Sequence, residues 1–395
     1  MGETNEEQIR KKAIRLYLEG TSVSDVCSKL DCSRPWFYKW LRRYQGGDSE
    51  WYRERSRAPR QVANKTPKDT EEQVLKIRSR LENSKYSQIG AMAIQWEMEK
   101  LGIEPLPSWT IDRILKRHNV VREKKKYKPS GKKYPDVKRI FSDSIQQVDP
   151  LGPRYIKNDG RFYSLNAIDL ESYLTSTYPC RTKGDEDMAQ GLIYTWKNIG
   201  KPDFIQLDNE LSFRGSNRYP RSLGLVIRMC LALGVRVIFI PVGEPWRNGI
   251  VEKFQDVFDK MFYRKQFFTS FKHLKQEARS FEKFRNKNHH CSALQGKTPL
   301  QYVASEDIII HKLDRDVTLK KINLSLEDGY IHLIRFIRSD CQLDVFSEKF
   351  KLPARVMYEY VIATICTEIH ELQVRIDNEL IETYEYSIPI EYERW

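Results

Sequence analysis

Residues 204–209 read FIQLDN, a short apolar run closed by an aspartate and an asparagine. Such a run between two helical patterns reads as a strand covered by helices. Two other stretches take their meaning from it. Residues 144–150, SIQQVDP, set Asp149 in another strand, and 241–254, PVGEPWRNGIVEKF, lead into a helix carrying Glu252. In a sheet with parallel central strands, groups at strand ends gather at one edge. A helix packed across that edge adds a third group.

Outward from these stretches the alternation is regular. Residues 146–156 and 161–169 read as strands, joined by the hairpin signal Asn158-Asp159-Gly160. A third strand at 174–179, a helix at 186–198, the strand 204–207, a helix at 222–233, a strand at 235–240 and a helix at 248–265 follow. This order predicts a mixed sheet covered by helices. Residues 270–310 read as helical, and 316–386 as short strands separated by turns, which predicts a small β-barrel or sandwich.

The first third is different. Residues 6–18, 23–30 and 34–44 read as three helices, with Thr21 or Ser22 and then Ser33 as caps. A short helix, a turn and a basic, aromatic-rich helix make a helix-turn-helix pattern. Its third helix offers Ser33, Arg34, Lys39, Arg42 and Arg43 as DNA contacts. Residues 70–82, 89–100 and a third helix capped by Ser108 repeat the pattern, offering Thr110, Arg113, Lys116 and Arg117. The stretch between the second pattern and the sheet includes Lys124, Lys125 and Lys126, which can neutralise phosphates.

Charge follows this division. The net charge of +13 lies wholly in residues 1–140, where 32 Lys and Arg meet 19 Asp and Glu; residues 141–395 balance at 35 each. A chain basic at one end only is built to set that end on a polyanion. No apolar run is long enough for a membrane span, and MGETNEEQIRKK lacks the apolar stretch of a secretory signal. The seven scattered cysteines read as reduced thiols, so a cytoplasmic protein is expected. The histidines lack a paired nucleophile, and no phosphate-binding Gly-Lys-Ser/Thr loop occurs.

Taken singly, Asp149 could form a turn, Asp208 could cap one and Glu252 could be a surface acid. Asp169 reads as structural, and Glu171, Asp185 and Glu244 as surface residues. Together Asp149, Asp208 and Glu252 are three carboxylates that repel each other without a cation, and an all-oxygen set selects Mg²⁺ or Mn²⁺. The stretches QVDPLG (147–152), LDNELSF (207–213) and PWRNGIVEKF (245–254) resemble the DDE core of retroviral-type integrases and their bacterial insertion-sequence transposase relatives. NHHCSALQGKTPLQYV (288–303) is similar to the run that follows the core in those transposases. Two features depart from the retroviral pattern: the 43 residues between Asp208 and Glu252 are more numerous, and Asp256 and Asp259 stand where lysines are usual.

The resemblance implies a ribonuclease H-like core, a mixed five-stranded sheet with helices. Asp149, Asp208 and Glu252 would be its metal ligands for two Mg²⁺ ions, with Mn²⁺ able to substitute, and Asn248 and Gly249 would lie near DNA. The expected organisation is a helix-turn-helix domain at 1–46, a linker at 47–67, a second helix-turn-helix domain at 68–121 and a basic linker at 122–140. The catalytic core at 141–270, a helical connector at 271–315 and a β-barrel at 316–395 complete it. The implied activity is cleavage at element ends and strand transfer into target DNA by at least two chains on double-stranded DNA, which places the protein at the nucleoid of a prokaryote. No helper ATPase is legible. The alternatives are a DNA-binding regulator with an inactive core and a nuclease that only hydrolyses.

Overall fold

A computed structural model describes residues 5–47, 49–54, 66–121, 134–216 and 221–389. The chain divides into two compact units, Met1–Pro67 and Lys68–Trp395.

The first unit holds α1 (Asn5–Leu18), α2 (Val23–Leu30) and α3 (Arg34–Gln45). Ser22 and Ser33 cap the last two, their hydroxyl oxygens accepting from the backbone N–H of Asp25 and Trp36 (both 3.3 Å). Each cap satisfies a donor that the helix leaves open. Ala13, Ile14, Val26, Phe37 and Leu41 form the core. Trp40 is also fully buried, with the Arg10 and Arg43 guanidinium groups 4.1 and 4.6 Å from its ring centre.

The second unit opens with α4 (Lys68–Asn83), α5 (Ala91–Lys100) and α6 (Ser108–Arg117), packed through Val74, Ile94, Met98, Ile111 and Leu115. The expected cap Ser108 is instead the first helical residue; Pro107 precedes it and no side chain caps the helix. These helices join the rest of the unit through Tyr86, whose ring packs on Phe262, Phe281 and Phe284 and whose hydroxyl donates to Glu277 (2.7 Å).

After α7 (Val137–Phe141) come β1 (Ile145–Ile156), β2 (Gly160–Asp169), β3 (Thr175–Cys180), α8 (Asp185–Ile199), β4 (Phe204–Leu207), α9 (Leu211–Arg214), α10 (Leu225–Ala232) and β5 (Arg236–Phe239). The expected helix at 248–265 is a composite. It comprises a 3-10 turn at Pro245–Asn248, α11 (Gly249–Val257), a π-type turn at Phe258–Phe262 and a further 3-10 turn. Next are α12 (Phe271–Asn288) and α13 (Pro299–Ser305), then β6 (Tyr330–Phe336), β7 (Gln342–Val345), β8 (Glu348–Lys351), β9 (Tyr360–Cys366), β10 (Glu371–Ile376) and β11 (Glu379–Glu385).

Nine strands among the described residues form one sheet, in the order β11-β10-β9-β6-β5-β4-β1-β2-β3. β1, β2 and β3 are antiparallel, while β1, β4, β5 and β6 run parallel. Alternation along the strands separates two faces. Val148, Leu165, Ala167, Ile205 and Leu207 pack on α8 and α10, whereas Ile156, Phe162 and Ile168 pack on α11 and α12. Gly191 lets α8 sit close to the sheet, since a Cβ there would lie 2.7 Å from Leu165 Cδ2. This mixed sheet with helices on both faces agrees with the expected core.

The expected C-terminal barrel does not appear as a closed barrel among the described residues. β6 pairs in parallel with β5, and β9, β10 and β11 follow it outward. The cause is that β5 is apolar on both faces: Val237 and Phe239 belong to one core cluster and Ile238 to another. An edge strand of that kind needs a neighbour. The new edge, β11, carries Glu379, Glu382 and Glu385, charges suited to an uncovered strand. β7 and β8 form a separate hairpin whose Leu343, Val345 and Phe350 join the main core. No helix among the described residues is long and apolar enough to cross a membrane.

Leu333→Ala on β6 removes a fully buried side chain and should cost about 2–5 kcal/mol. Amides of β4 and β5 should lose hydrogen-exchange protection together with those of β9. Loss confined to residues after 316 would mean that the C-terminal strands fold independently.

Candidate active site

The register of β1 and β4 sets up the site. Gln147 pairs with Gln206, so two residues on, Asp149 and Asp208 come level on adjacent parallel strands. Neighbouring strands run about 5 Å apart, and residues two apart share a face. That face is the one α11 covers. Gln147 and Gln206 hold the start of this helix. Their amides donate to the Arg247 carbonyl (3.4 and 3.2 Å), Gln147 Oε1 accepts from the Val251 N–H (3.1 Å), and Gln206 also donates to Asn248 Oδ1 (2.9 Å). Further along α11, Gln255 donates to Asp149 Oδ2 (2.6 Å) and to its backbone carbonyl (3.2 Å). Glu252 lies three residues before Gln255, hence on the same helical face.

Electrostatics bears out the proximity. Burial pushes the Asp149 carboxyl up to about 7; the charge of Asp208 adds to this, Gln255 opposes it, and the charges of Glu252 and Glu210 act as Asp208 does. Asp208 is raised by burial and by Glu210, against the Glu210 N–H that donates to it (3.2 Å) and against Lys183. Glu252 is raised by burial. Among the described residues no three His, Cys, Asp or Glu side chains stand as a ligating group, and Gln255 takes one oxygen of Asp149. The donor chemistry nevertheless fits a hard divalent cation: half-buried carboxylates whose charges disfavour one another, with no soft ligand among them.

Two braces from the C-terminal strands reach the site's loops, and the sequence signalled neither. Arg335 on β6 is buried and donates to the Ile240 carbonyl (3.0 Å) and to Asn209 Oδ1 (2.9 Å), the residue after Asp208. Tyr360 on β9 donates to Glu244 (2.9 Å) and accepts from Arg247 (2.9 Å), fixing the turn before α11. Glu244 is thus not the surface acid expected, because Arg247 and Tyr360 enclose it. Asp169 accepts from the N–H groups of Glu171 and Ser172, a structural role as expected. Asp259 is buried and pairs with Arg154 of β1 (2.7 Å).

The expected DNA contacts fall into groups. Ser33, Arg34, Lys39 and Arg42 are exposed on α3, although Ser33 caps it, Arg34 donates to Ser24 (3.3 Å) and Lys39 pairs with Glu54 (3.3 Å). Arg43 is half-buried and donates to the Arg53 carbonyl (3.1 Å). On α6, Thr110 is half-buried, Lys116 is exposed, Arg113 lies over Trp109 and Arg117 pairs with the buried Glu71. Lys124, Lys125 and Lys126 lie outside the described residues. Asn248 is buried and serves to seat α11, whereas Gly249 is exposed.

Residues 4–51 match the family of homeodomain-like domains, and residues 233–299, which contain Glu252, match the integrase core domain family. The chain is similar to the catalytic core domain of the HTLV-2 integrase, solved in complex with magnesium. The identity is 17%, over 40% of this chain and 94% of that one, with a TM-score of 0.30. It is also similar to a chain of the simian T-cell lymphotropic virus intasome, at 13% identity over 80% and 97% with a TM-score of 0.37. The BIV integrase catalytic core domain shows 17% identity over 41% and 95%, with a TM-score of 0.31. The two family matches support a DNA function of the transposase or integrase type.

Asp149 in the folded chain keeps its proton up to about pH 7, against an ordinary value of 3.8. The folded state therefore binds more protons than the unfolded one across that window. The contribution of Asp149 to stability is full below it and lost as pH rises through about 7. With divalent ions chelated, Asp149→Asn should raise the melting temperature over the unsubstituted protein near pH 8 and show no such gain near pH 4, by roughly the sign and window of that linkage. Equal shifts at both ends would show that Asp149 carries no raised carboxyl.

Proposed function

We propose that this chain is a DNA transposase or integrase that frees a 3′-hydroxyl at an element end and joins it to target DNA. The observation that carries the reading is the level placement of Asp149 and Asp208 beneath the helix that bears Glu252. The homeodomain-like and integrase core matches support the two halves of the activity.

Asp149, Asp208 and Glu252 would hold two Mg²⁺ ions, or Mn²⁺ in their place, and divalent ions there acidify an attacking hydroxyl and neutralise charge on the phosphodiester. The chain's own part is positional. Gln147 and Gln206 fix α11 on the sheet, and Arg335 and Tyr360 fix the two loops. Water oxygen attacks phosphorus and the bond to the 3′-oxygen breaks, leaving a 3′-hydroxyl. That hydroxyl then attacks a target phosphodiester, one P–O bond forming as another breaks. Helices α3 and α6 are the recognition elements, with Arg34, Arg42, Arg113 and Lys116 exposed on them. One such site per chain and two ends to join require at least two chains on the DNA.

The hydrogen bond from Gln255 to Asp149 favours a second reading, a DNA-binding regulator without catalysis. Joining assays separate the two. Glu252→Gln should reduce cleavage and joining of terminal-repeat duplexes to background, as should chelation of divalent ions, with DNA affinity unchanged. Joining by the Glu252→Gln protein would overturn the assignment. Arg42→Ala and Arg113→Ala should each weaken element-end binding by about tenfold in a gel-shift titration. Unchanged affinity would remove these residues from the recognition surface.

A further inference from the structure

Behind α11, away from the carboxylates, lies a cavity of about 280 Å³. Exposed Gly249, Lys253, Ser292 and Ala293 border it, and Phe254, Arg285 and Cys291 form its buried part. Arg285, on α12, is only 4% exposed. Its Nη1 donates to the Tyr173 carbonyl (3.1 Å), its guanidinium lies 5.0 Å from the Phe254 ring centre, and the Cys291 thiol is its other polar neighbour. Its Nε has no hydrogen-bond partner, and among the described residues no carboxylate acts on it. A buried guanidinium without a counter-charge is costly.

The rest of the lining has the same sign. Lys253 stands at the mouth, and no Asp or Glu lines the cavity. His289 is held neutral by burial and by the charges of Arg285 and His290. Its Nε2 faces the side-chain amide of Gln88 at 3.3 Å. Accepting from that amide leaves the ring proton on Nδ1, a second donor. A recess with a buried cation, a mouth lysine, a neutral imidazole and no acid is complementary to an oxyanion.

We infer that this cavity is a phosphate site and that its phosphate belongs to the DNA strand lying along α11. The DNA source rests on the proposed function: the mouth opens at the first turn of the helix that carries Glu252. A phosphodiester seated there would fix the strand on the far side of that helix and give Arg285 the counter-charge it lacks.

The test uses the full chain, with Arg285→Gln to remove the buried cation and Ser292→Glu to set an anion at the exposed mouth. The second variant leaves the packed residues untouched. Two probes are read. A fluorescein-labelled random-sequence duplex is titrated at several salt concentrations, and melting is followed in inorganic phosphate against chloride at equal ionic strength. Both variants should weaken duplex binding several-fold and lower the slope of log affinity against log salt by about one. Inorganic phosphate should raise the melting temperature of the unsubstituted protein and of neither variant. A phosphate effect with an unchanged salt slope would make the ligand a free phosphate and overturn the DNA assignment. The absence of both effects would overturn the site altogether. Failure of the unsubstituted protein to bind DNA would sink the proposed function instead, and the melting experiment would still decide the cavity.

Discussion

Two glutamine side chains carry the geometry on which the site depends. Gln147 and Gln206 sit side by side on parallel strands and hold the backbone of one turn, Arg247 to Val251. A buried amide must find partners or pay for desolvation, and here the partners are the backbone groups at a helix start. The helix is thereby set at one height and one rotation over the sheet. The next residues on that strand face are Asp149 and Asp208, so the same bonds determine where Glu252 stands relative to them. A slip of one residue in the β1–β4 register would turn one of the two aspartates to the opposite face, against α8 and α10, and leave the other behind.

The second constraint comes from the far end of the chain. β6 and β9 lengthen the sheet on the side of β5, and from them Arg335 and Tyr360 reach back to the loops beside Asp208 and Glu252. The strands that cover an apolar edge also brace the site. Arg335 is held by three backbone carbonyls and one side-chain amide oxygen rather than by a carboxylate. Burial lowers its pKa to about 10, opposed by the charge of Asp344 and aided by that of Arg214.

Much of this was legible in the residues. The β1–β2 hairpin was read from Asn158-Asp159-Gly160, and α2 and β4 were read to the residue, because turn chemistry and short apolar runs between helices are local signals. That Asp149 and Asp208 lie near one another was expected from strand ends gathering at one edge, although Asp149 stands inside β1 rather than at its end. The glutamine bonds did not, since nothing in QQV or IQL distinguishes a buried amide from an exposed one. The C-terminal strands were recognised as strands but assigned to a barrel. Alternation along a strand tells which face is apolar and says nothing about which strand lies beside it. Glu244 misled for the same reason: its partner Tyr360 lies 116 residues away.

That long reach has a consequence for timing. Synthesis delivers Asp149, Asp208 and Glu252 well before Arg335 and Tyr360, so a nascent chain displays its three acids while the loops that bear them are still unbraced and β5 is still bare. β6 and β9 to β11 complete the sheet from the side next to the site, and the arrangement of the three acids therefore depends on these later strands as well as on the segment that contains the acids.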